Sequence, residues 1–299
     1  MEKNALVILN PSAGKEKAEG FADEIVELLK TRFENVEVRK TEGTGDAKSF
    51  ASEAARDGYD LVVAMGGDGT VNEAVNGLSV HEKRPRFGII PMGTVNDLAR
   101  ALGIPVDPEE AISVLEGRHS VFIDMGKAND RYFSNAFAVG RIPESIHEVT
   151  AEEKSRLGPL AYVRAGTRKL MEKEKIHVKV SFGEDSWEGE LAAILIGLTG
   201  SFGGIQDVLP EAGLGDGRLH VILVRDLTVM ETLKLVPGIF TGKFTESENI
   251  AYLVTDRIEI EALGSEEYVS DVDGEKGPKL PITVELLKHH IEVLVPEKK

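Results

Sequence analysis

The stretch Gly66-Gly67-Asp68-Gly69-Thr70 sets one carboxylate among three glycines. Glycine lets a backbone approach a ligand closely. A turn that feeds a helix offers unpaired N–H groups at the positive end of the helix dipole, where phosphate binds. A carboxylate in that position repels phosphate unless a cation lies between them. Magnesium with a nucleoside triphosphate resolves the conflict. Two other stretches share this grammar. Pro91-Met92-Gly93-Thr94-Val95-Asn96-Asp97 repeats glycine, threonine, asparagine and acid, and Asn10-Pro11-Ser12-Ala13-Gly14-Lys15 adds a lysine. The last is no Walker A loop, which needs an earlier glycine and a Ser or Thr after the lysine; Glu16 follows here.

Each turn needs a strand before it and a helix after it. Leu61 to Met65 is a short apolar run, the pattern of a buried strand, and from Val71 the period changes: Val71, Ala74, Val75 and Leu78 fall on one helical face. Capping-box spacing between Thr70 and Glu73 predicts a helix starting at Thr70. Phe87 to Ile90 is the matching strand for the second turn. There, Thr94 and Asp97 have capping spacing, and Val95, Leu98, Ala99 and Leu102 repeat the helical period. Ala5 to Leu9, then Ala18, Phe21, Ala22, Ile25, Leu28 and Leu29, supply strand and helix around the first loop. A further strand over Val36–Lys40 ends at Thr41, and a helix with Ala47, Phe50, Ala51, Ala54 and Ala55 on one face follows. Asp107-Pro108-Glu109-Glu110 starts another short helix, ending near Gly117. Residues 1–122 thus read as a doubly wound α/β domain with the turns on one sheet edge.

Beyond Ser120 strands dominate: Val121–Asp124, Tyr132–Val139, Lys175–Phe182, Trp187–Leu198, Leu219–Val224, Ile250–Ala262 and Ile282–Leu286. Asn129-Asp130 and Gly183-Glu184-Asp185 read as hairpin turns. Only Leu157–Met171 and Thr228–Phe240 suggest helices. Residues 123–288 therefore form a mainly antiparallel β-sandwich or flattened barrel. A last strand, Ile291–Val295, within 289–299, is free to return to the first domain.

Composition narrows the partners. The 299 residues are 41% hydrophobic and 29% charged, enough for two globular domains. With no cysteine there is no disulfide or thiolate chemistry, which suits a reducing compartment. The run Ala5–Leu9 is too short for a signal peptide, and the longest interior run, Leu191–Leu198, is far shorter than the ~20 residues of a membrane span. A net charge of −16 argues against nucleic acid and against general adhesion to anionic lipid. One local exception exists: residues 154–179 hold eight Lys or Arg against two Glu. It reads as a solvated helix face or, more sharply, as a membrane-docking patch. The seven histidines show no metal-ligand spacing.

Gly66-Gly-Asp-Gly-Thr-x-Asn-Glu73, followed by Pro91-x-Gly-Thr-x-Asn-Asp97 and preceded by Asn10-Pro-x-Ala-Gly-Lys15 and the strand-end Thr41, resembles the catalytic domain of the diacylglycerol kinase family, bacterial soluble lipid kinases included. The fold implied is a phosphofructokinase- or NAD kinase-like α/β domain with a β-sandwich behind it. The resemblance implies that Asn10, Pro11, Ser12, Ala13, Gly14, Thr41, Gly66, Gly67, Asp68, Gly69, Thr70, Val71, Asn72 and Thr94 line an ATP site. It implies that Asp68 acts through Mg2+, with Asp97 and Asp124 in the same network. Ser270-Asp271-Val272-Asp273-Gly274-Glu275 crowds three acids near one glycine and by itself reads as a polar hairpin tip. The family carries a similar Asp-Gly-Glu, which makes Glu275 the group that accepts a proton from, or orients, the lipid hydroxyl. Gly213-Leu214-Gly215-Asp216-Gly217-Arg218 resembles the family's structural magnesium loop, with the Asp216 carboxylate and the carbonyls of Gly213 and Arg218 as ligands. Asn135–Gly140 fits the family's Asn…Gly segment loosely, and Arg141-Ile142-Pro143 departs from it.

The expected function is an ATP-dependent lipid kinase that turns diacylglycerol into phosphatidic acid, in the cytoplasm and peripheral at the inner membrane surface. Both substrates are expected in the cleft between domains, and a homodimer stays open. Three alternatives remain: a kinase for sphingosine or phosphatidylglycerol, an NAD kinase, or a nucleotide-binding regulator without chemistry. The NAD kinase would share Gly66–Thr70, yet Gly93-Thr-x-Asn-Asp97 stands where it should carry another motif. Intact Asp68, Asp216 and Glu275 count against the regulator.

Overall fold

The computed structural model describes residues 2–13, 18–140, 175–200, 209, 211–225 and 247–297. The proposed helices over 157–171 and 228–240, the departure at 141–143, Gly14, Lys15 and most of the basic stretch lie outside them.

The first half alternates strand and helix. It runs β1 (Glu2–Leu9), α1 (Ala18–Lys30), β2 (Phe33–Lys40), α2 (Asp46–Arg56), β3 (Leu61–Gly66), α3 (Asp68–Ser79), β4 (Arg86–Pro91), α4 (Asp97–Ala101) and α5 (Pro108–Glu116). The strands pair in parallel in the order β2-β1-β3-β4. Ala5–Leu9 and Leu61–Met65 are wholly buried, because helices cover both faces of such a sheet. Each helix turns its small or apolar face inward: Ala18, Ala22, Ile25 and Leu29 on α1, Ala47, Ala51, Ala54 and Ala55 on α2. Helices α2 and α3 touch at Gly77, where a Cβ would stand 2.2 Å from the Lys48 carbonyl oxygen. Helix α5 is capped as its sequence predicts: the Asp107 carboxylate accepts the N–H groups of Glu109 (3.0 Å) and Glu110 (3.2 Å), with Pro108 next to the cap. In this strand order the chain leaves β1 toward β2 and later returns to its other side as β3. The point where the order reverses lies between β1 and β3, and ligands bind at the carboxyl ends of strands there.

The second half contains β5 (Ser120–Ala128), β6 (Arg131–Phe133), β7 (Ala136–Gly140), β8 (Ile176–Phe182), β9 (Asp185–Leu191), β10 (Ala193–Gly197), β11 (Leu219–Val224), β12 (Ile250–Thr255), β13 (Arg257–Ala262), β14 (Val269–Val272), β15 (Glu275–Lys279) and β16 (Ile282–Leu294). One antiparallel sheet has the order β12-β11-β10-β7-β14-β15. The other joins β9, β8, β13 and the start of β16. The expected hairpins form at Asn129 (φ 53°) and Gly183 (φ 57°). The expected long strands do not. Trp187–Leu198 breaks at Ala192 into β9 and β10, and Ile250–Ala262 breaks at Asp256 into β12 and β13, each pair split between the two sheets. Ile282–Leu286 and Ile291–Val295 instead share one strand, β16, kinked where His289 takes φ 49°.

Two compact units result. One comprises residues 1–125, 132–134 and 287–299, the other 126–131 and 135–286. The end of β16 runs parallel to β4, with Val293 opposite Phe87. No helix among the described residues is long and apolar enough to cross a membrane.

Candidate functional site

The first unit holds a cavity of about 560 Å³, within the usual range for a small-molecule site. Asn10, Ser12 and Ala13 line it from the loop after β1, Gly67, Gly69 and Thr70 from the turn after β3, and Met92, Gly93 and Thr94 from the turn after β4. The register explains the convergence. Leu9 lies opposite Met65 and Gly66 opposite Pro91, so three parallel strands end side by side.

Side chains stitch the turns together. Asn10 Nδ2 donates to Thr70 Oγ1 (3.0 Å), and Asn10 Oδ1 accepts the Ser12 N–H (3.0 Å). Asp68 spans the second and third turns: its Oδ2 accepts the Asn96 N–H (2.9 Å) and its Oδ1 the Asp97 N–H (2.8 Å). Asn96, in the left-handed region at φ 55° and buried, closes its own turn by accepting the Gly93 N–H and donating to the Gly93 carbonyl, both at 2.9 Å. The glycines are forced by contact. A Cβ on Gly93 would stand 2.8 Å from Gly67 Cα, and one on Gly66 would stand 2.5 Å from Thr70 Oγ1. Gly69 has no neighbour within 4 Å of a built Cβ and is exposed, so no packing explains it.

Two expectations need correction. Helix α3 starts at Asp68, with Gly67 as an N-cap that offers no side-chain bond, so Thr70 lies inside the first turn. Glu73 reaches instead to the Gly45 N–H (2.7 Å), on the loop before α2. Helix α4 starts at Asp97, not Thr94, because the Asp68 carboxylate takes the amides that a local cap would have taken. A tertiary partner outcompetes the local capping box in both places.

Of the sequence candidates, Asn10, Ser12, Ala13, Gly67, Gly69, Thr70 and Thr94 meet in the cavity. Thr41 ends β2's side of the sheet, its N–H donating to the Leu9 carbonyl (2.9 Å). Val71 and Asn72 are buried on α3, and Gly66 is the last residue of β3. Pro11 is exposed in the first loop. Asp124 is buried on β5 and accepts the His289 N–H (2.8 Å). Sequence reasoning singled out the Pro91–Asp97 turn but placed only its Thr94 in the ATP site, leaving out Met92 and Gly93, which line the cavity, and Asn96, which closes the turn. The parallel between Gly69-Thr-Val-Asn72 and Gly93-Thr-Val-Asn96 was the available signal, but Asn72 sits within a helix and Asn96 before one. Asn76, also missed, is buried. It donates to the carbonyls of Asn72 and Tyr132 (3.0 Å each) and to Asn72 Oδ1 (2.9 Å), and accepts the Tyr132 N–H (3.1 Å).

Whether these residues suit magnesium depends on spare acceptors. A carboxylate has about four lone-pair sites, and the amides occupy one on each Asp68 oxygen, so partly exposed Asp68 keeps capacity for a hydrated cation. The second candidate lies in the other unit. Asp216 accepts the N–H groups of Arg218 (2.9 Å) and Gly213 (3.2 Å), and meets His220 Nε2 at 2.7 Å. Because a carboxylate only accepts, Nε2 carries a proton, and buried His220 meets the Tyr252 hydroxyl at Nδ1 (2.6 Å). Burial, then the nearby Glu211 and Asp216 carboxylates, push the Tyr252 phenol up. With three bonds already on Asp216, one acceptor site and loop carbonyls remain, a sparse but oxygen-only set. Among the described residues no group of three His, Cys, Asp or Glu could hold a metal.

Glu275 opens β15 immediately after Asp273 (φ 50°) and Gly274 (φ 84°), a turn of two positive-φ residues. The hairpin reading of this segment is therefore correct, whatever else Glu275 does. Its carboxylate pairs with Arg131.

Fold and cavity define an α/β protein whose strand-end turns converge on one cavity, with a β-sandwich unit beside it in sequence. The family model described as the diacylglycerol kinase catalytic domain matches residues 4–128, and one described as a YegS C-terminal NAD kinase beta sandwich-like domain matches 142–295. A diacylglycerol kinase of Staphylococcus carnosus is 37% identical over 298 residues, covering 99% of this chain and 96% of the relative. A Streptococcus pneumoniae relative, 36% identical over 99% of both chains, carries a description that goes no further than lipid kinase. A crystal structure of a diacylglycerol kinase from Bacillus anthracis superposes with a TM-score of 0.79 at 30% identity, covering 99% of this chain and 97% of that one. The chain belongs to the diacylglycerol kinase catalytic-domain family.

Proposed function

We propose that this protein is an ATP-dependent lipid kinase whose acceptor is diacylglycerol and whose product is phosphatidic acid. The supporting observation is the convergence of three glycine-bearing turns on one cavity at the carboxyl ends of β1, β3 and β4, in a chain of this family. The exposed first-turn backbone at Gly69 offers N–H groups to a triphosphate. Asn10 and Asp68 hold the three turns in register, so the donors are fixed before the nucleotide arrives.

Asp68 is the residue proposed to hold a hydrated magnesium ion, and Asp216 with the Gly213 and Arg218 carbonyls a second, structural one. Magnesium, when bound with the nucleotide, neutralises charge on the transferring phosphoryl group. Glu275 is proposed to orient the acceptor hydroxyl and take its proton. The acceptor being a membrane lipid, the protein works peripherally at the cytoplasmic face.

The test offers labelled ATP with diacylglycerol micelles, sphingosine, phosphatidylglycerol and NAD in parallel. Transfer to diacylglycerol is expected. Transfer to another lipid alone corrects the acceptor, and transfer only to NAD, or to nothing, overturns the reading.

A further inference from the structure

Glu275 is not a free carboxylate at a flexible tip. It is ion-paired and hydrogen-bonded to Arg131 Nη2, and both residues sit on hairpins whose turns are tied down. On the Glu275 side, Asp273 Oδ1 accepts the N–H groups of Asn135 (3.0 Å) and Ala136 (2.7 Å), and the Asp273 N–H returns to the Ala136 carbonyl (2.8 Å). Asp271 Oδ1 accepts the Gly274 N–H (2.8 Å) across the same turn. On the Arg131 side, Asn129 donates its backbone N–H to the Thr283 carbonyl (3.0 Å) and accepts the Thr283 N–H at Oδ1 (3.0 Å). Its Nδ2 also reaches the Pro281 carbonyl (3.2 Å). The other two acids of the 270–275 cluster hold backbone N–H groups, and Glu275 faces a cation.

The pair makes little sense as a stability device. The side chains are 34% and 40% exposed, and ion pairs in that setting are worth at most ~1 kcal/mol. Two anchored hairpins that serve only such a contact would be an elaborate arrangement. They make good sense if one carboxylate must be held in a single direction. A planar guanidinium with fixed donors does that better than an ammonium.

We propose that Arg131 is the positioning residue for Glu275: it aims the carboxylate that receives the acceptor hydroxyl and does not itself touch substrate. The inference rests on the reading of Glu275 given above. Only the Glu275 hydrogen-bonding geometry depends on Arg131, so its loss lowers turnover without altering nucleotide affinity.

The experiment measures kcat and KM for both substrates in mixed micelles, with melting temperatures, for Arg131→Gln, Arg131→Lys, Glu275→Ala and Glu275→Asp. Expected are a kcat lowered by about tenfold or more in Arg131→Gln, an unchanged KM for ATP, a melting temperature near wild type and partial recovery in Arg131→Lys; misorientation alone can cost up to ~100-fold. Adding Arg131→Gln to Glu275→Asp should cost less than it does in the wild type. If Glu275→Ala is inactive while Arg131→Gln turns over within twofold of wild type, Arg131 positions nothing and the inference falls while the role of Glu275 stands. If Glu275→Ala turns over normally, the role of Glu275 falls first and this inference with it. Should Arg131→Gln not fold, Arg131→Lys decides: full wild-type kcat in that variant overturns the proposal.

Discussion

Asp68, proposed as the metal-side carboxylate, has a second role in the fold that a pair of substitutions separates. As a metal-side carboxylate alone, its removal would abolish turnover and leave the fold as stable as before, or more so with Asp97 close by in the third turn. The structure makes it a clasp as well. Each oxygen accepts one backbone N–H, from Asn96 at 2.9 Å and Asp97 at 2.8 Å, and Asn96 is buried. Asp68→Ala leaves both amides unpaired, at roughly 1–3 kcal/mol each, so the loss should be about 2–6 kcal/mol. Asp68→Asn keeps one acceptor oxygen and turns an NH2 toward the other amide, so about half of that is expected. At roughly 2–4 °C per kcal/mol for a domain near this size, Asp68→Ala should melt about 4–24 °C below wild type, with Asp68→Asn between them. Scanning calorimetry with and without Mg2+-ATP reads both roles. The wild type should gain stability from the nucleotide by mass action, and both variants should lose that gain together with kinase activity. A melting temperature for Asp68→Ala within a degree of wild type would refute the clasp. Near-normal turnover in Asp68→Asn would refute the metal role.

Other expectations follow from the same geometry. Gly93→Ala must push a Cβ against Gly67 Cα and Asn96 Oδ1, each 2.8 Å away, and should destroy nucleotide-induced stabilisation; retained stabilisation would mean that the turns are not in contact. Gly69→Ala meets nothing and gains up to ~1 kcal/mol of helix propensity, yet should raise KM for ATP in steady-state kinetics, since Gly69 lines the cavity proposed for the nucleotide. Asn76→Ala strands the Tyr132 backbone groups that it serves and should cost about 2–4 kcal/mol in denaturant unfolding, with the midpoint falling accordingly. Hydrogen bonds from Arg39 and then Tyr59 hold the Glu37 carboxyl below its ordinary 4.5. A depressed pKa in the fold gives stability present above that value and lost as pH falls through the folded one. Glu37 is well exposed, so the effect stays under ~1 kcal/mol: the melting temperature of Glu37→Gln should fall slightly less than wild type between pH 5 and pH 3.

The sequence by itself determined the parallel α/β half, the order of its glycine turns and seven of the cavity's residues, because buried strands and amphipathic helices write their periods locally. It determined the Asp107 cap and the Asp273-Gly274 hairpin for the same reason. Capping boxes at Thr70–Glu73 and Thr94–Asp97 have the same local signature, yet neither forms. Glu73 found Gly45, and Asp68 took the amides at Asn96 and Asp97, partners 28 and 29 residues away that no window of sequence displays. Strand breaks at Ala192 and Asp256 were invisible too, since an alternating pattern passes through a residue that merely changes sheets. Only the tertiary structure turned Asp68 from an acid awkwardly placed beside phosphate into the clasp between two turns, and only it gave Glu275 a cation to face. Both outcomes depend on which backbone donors and charged groups the folded chain brings within 3 Å, a matter of long-range register rather than of composition or period.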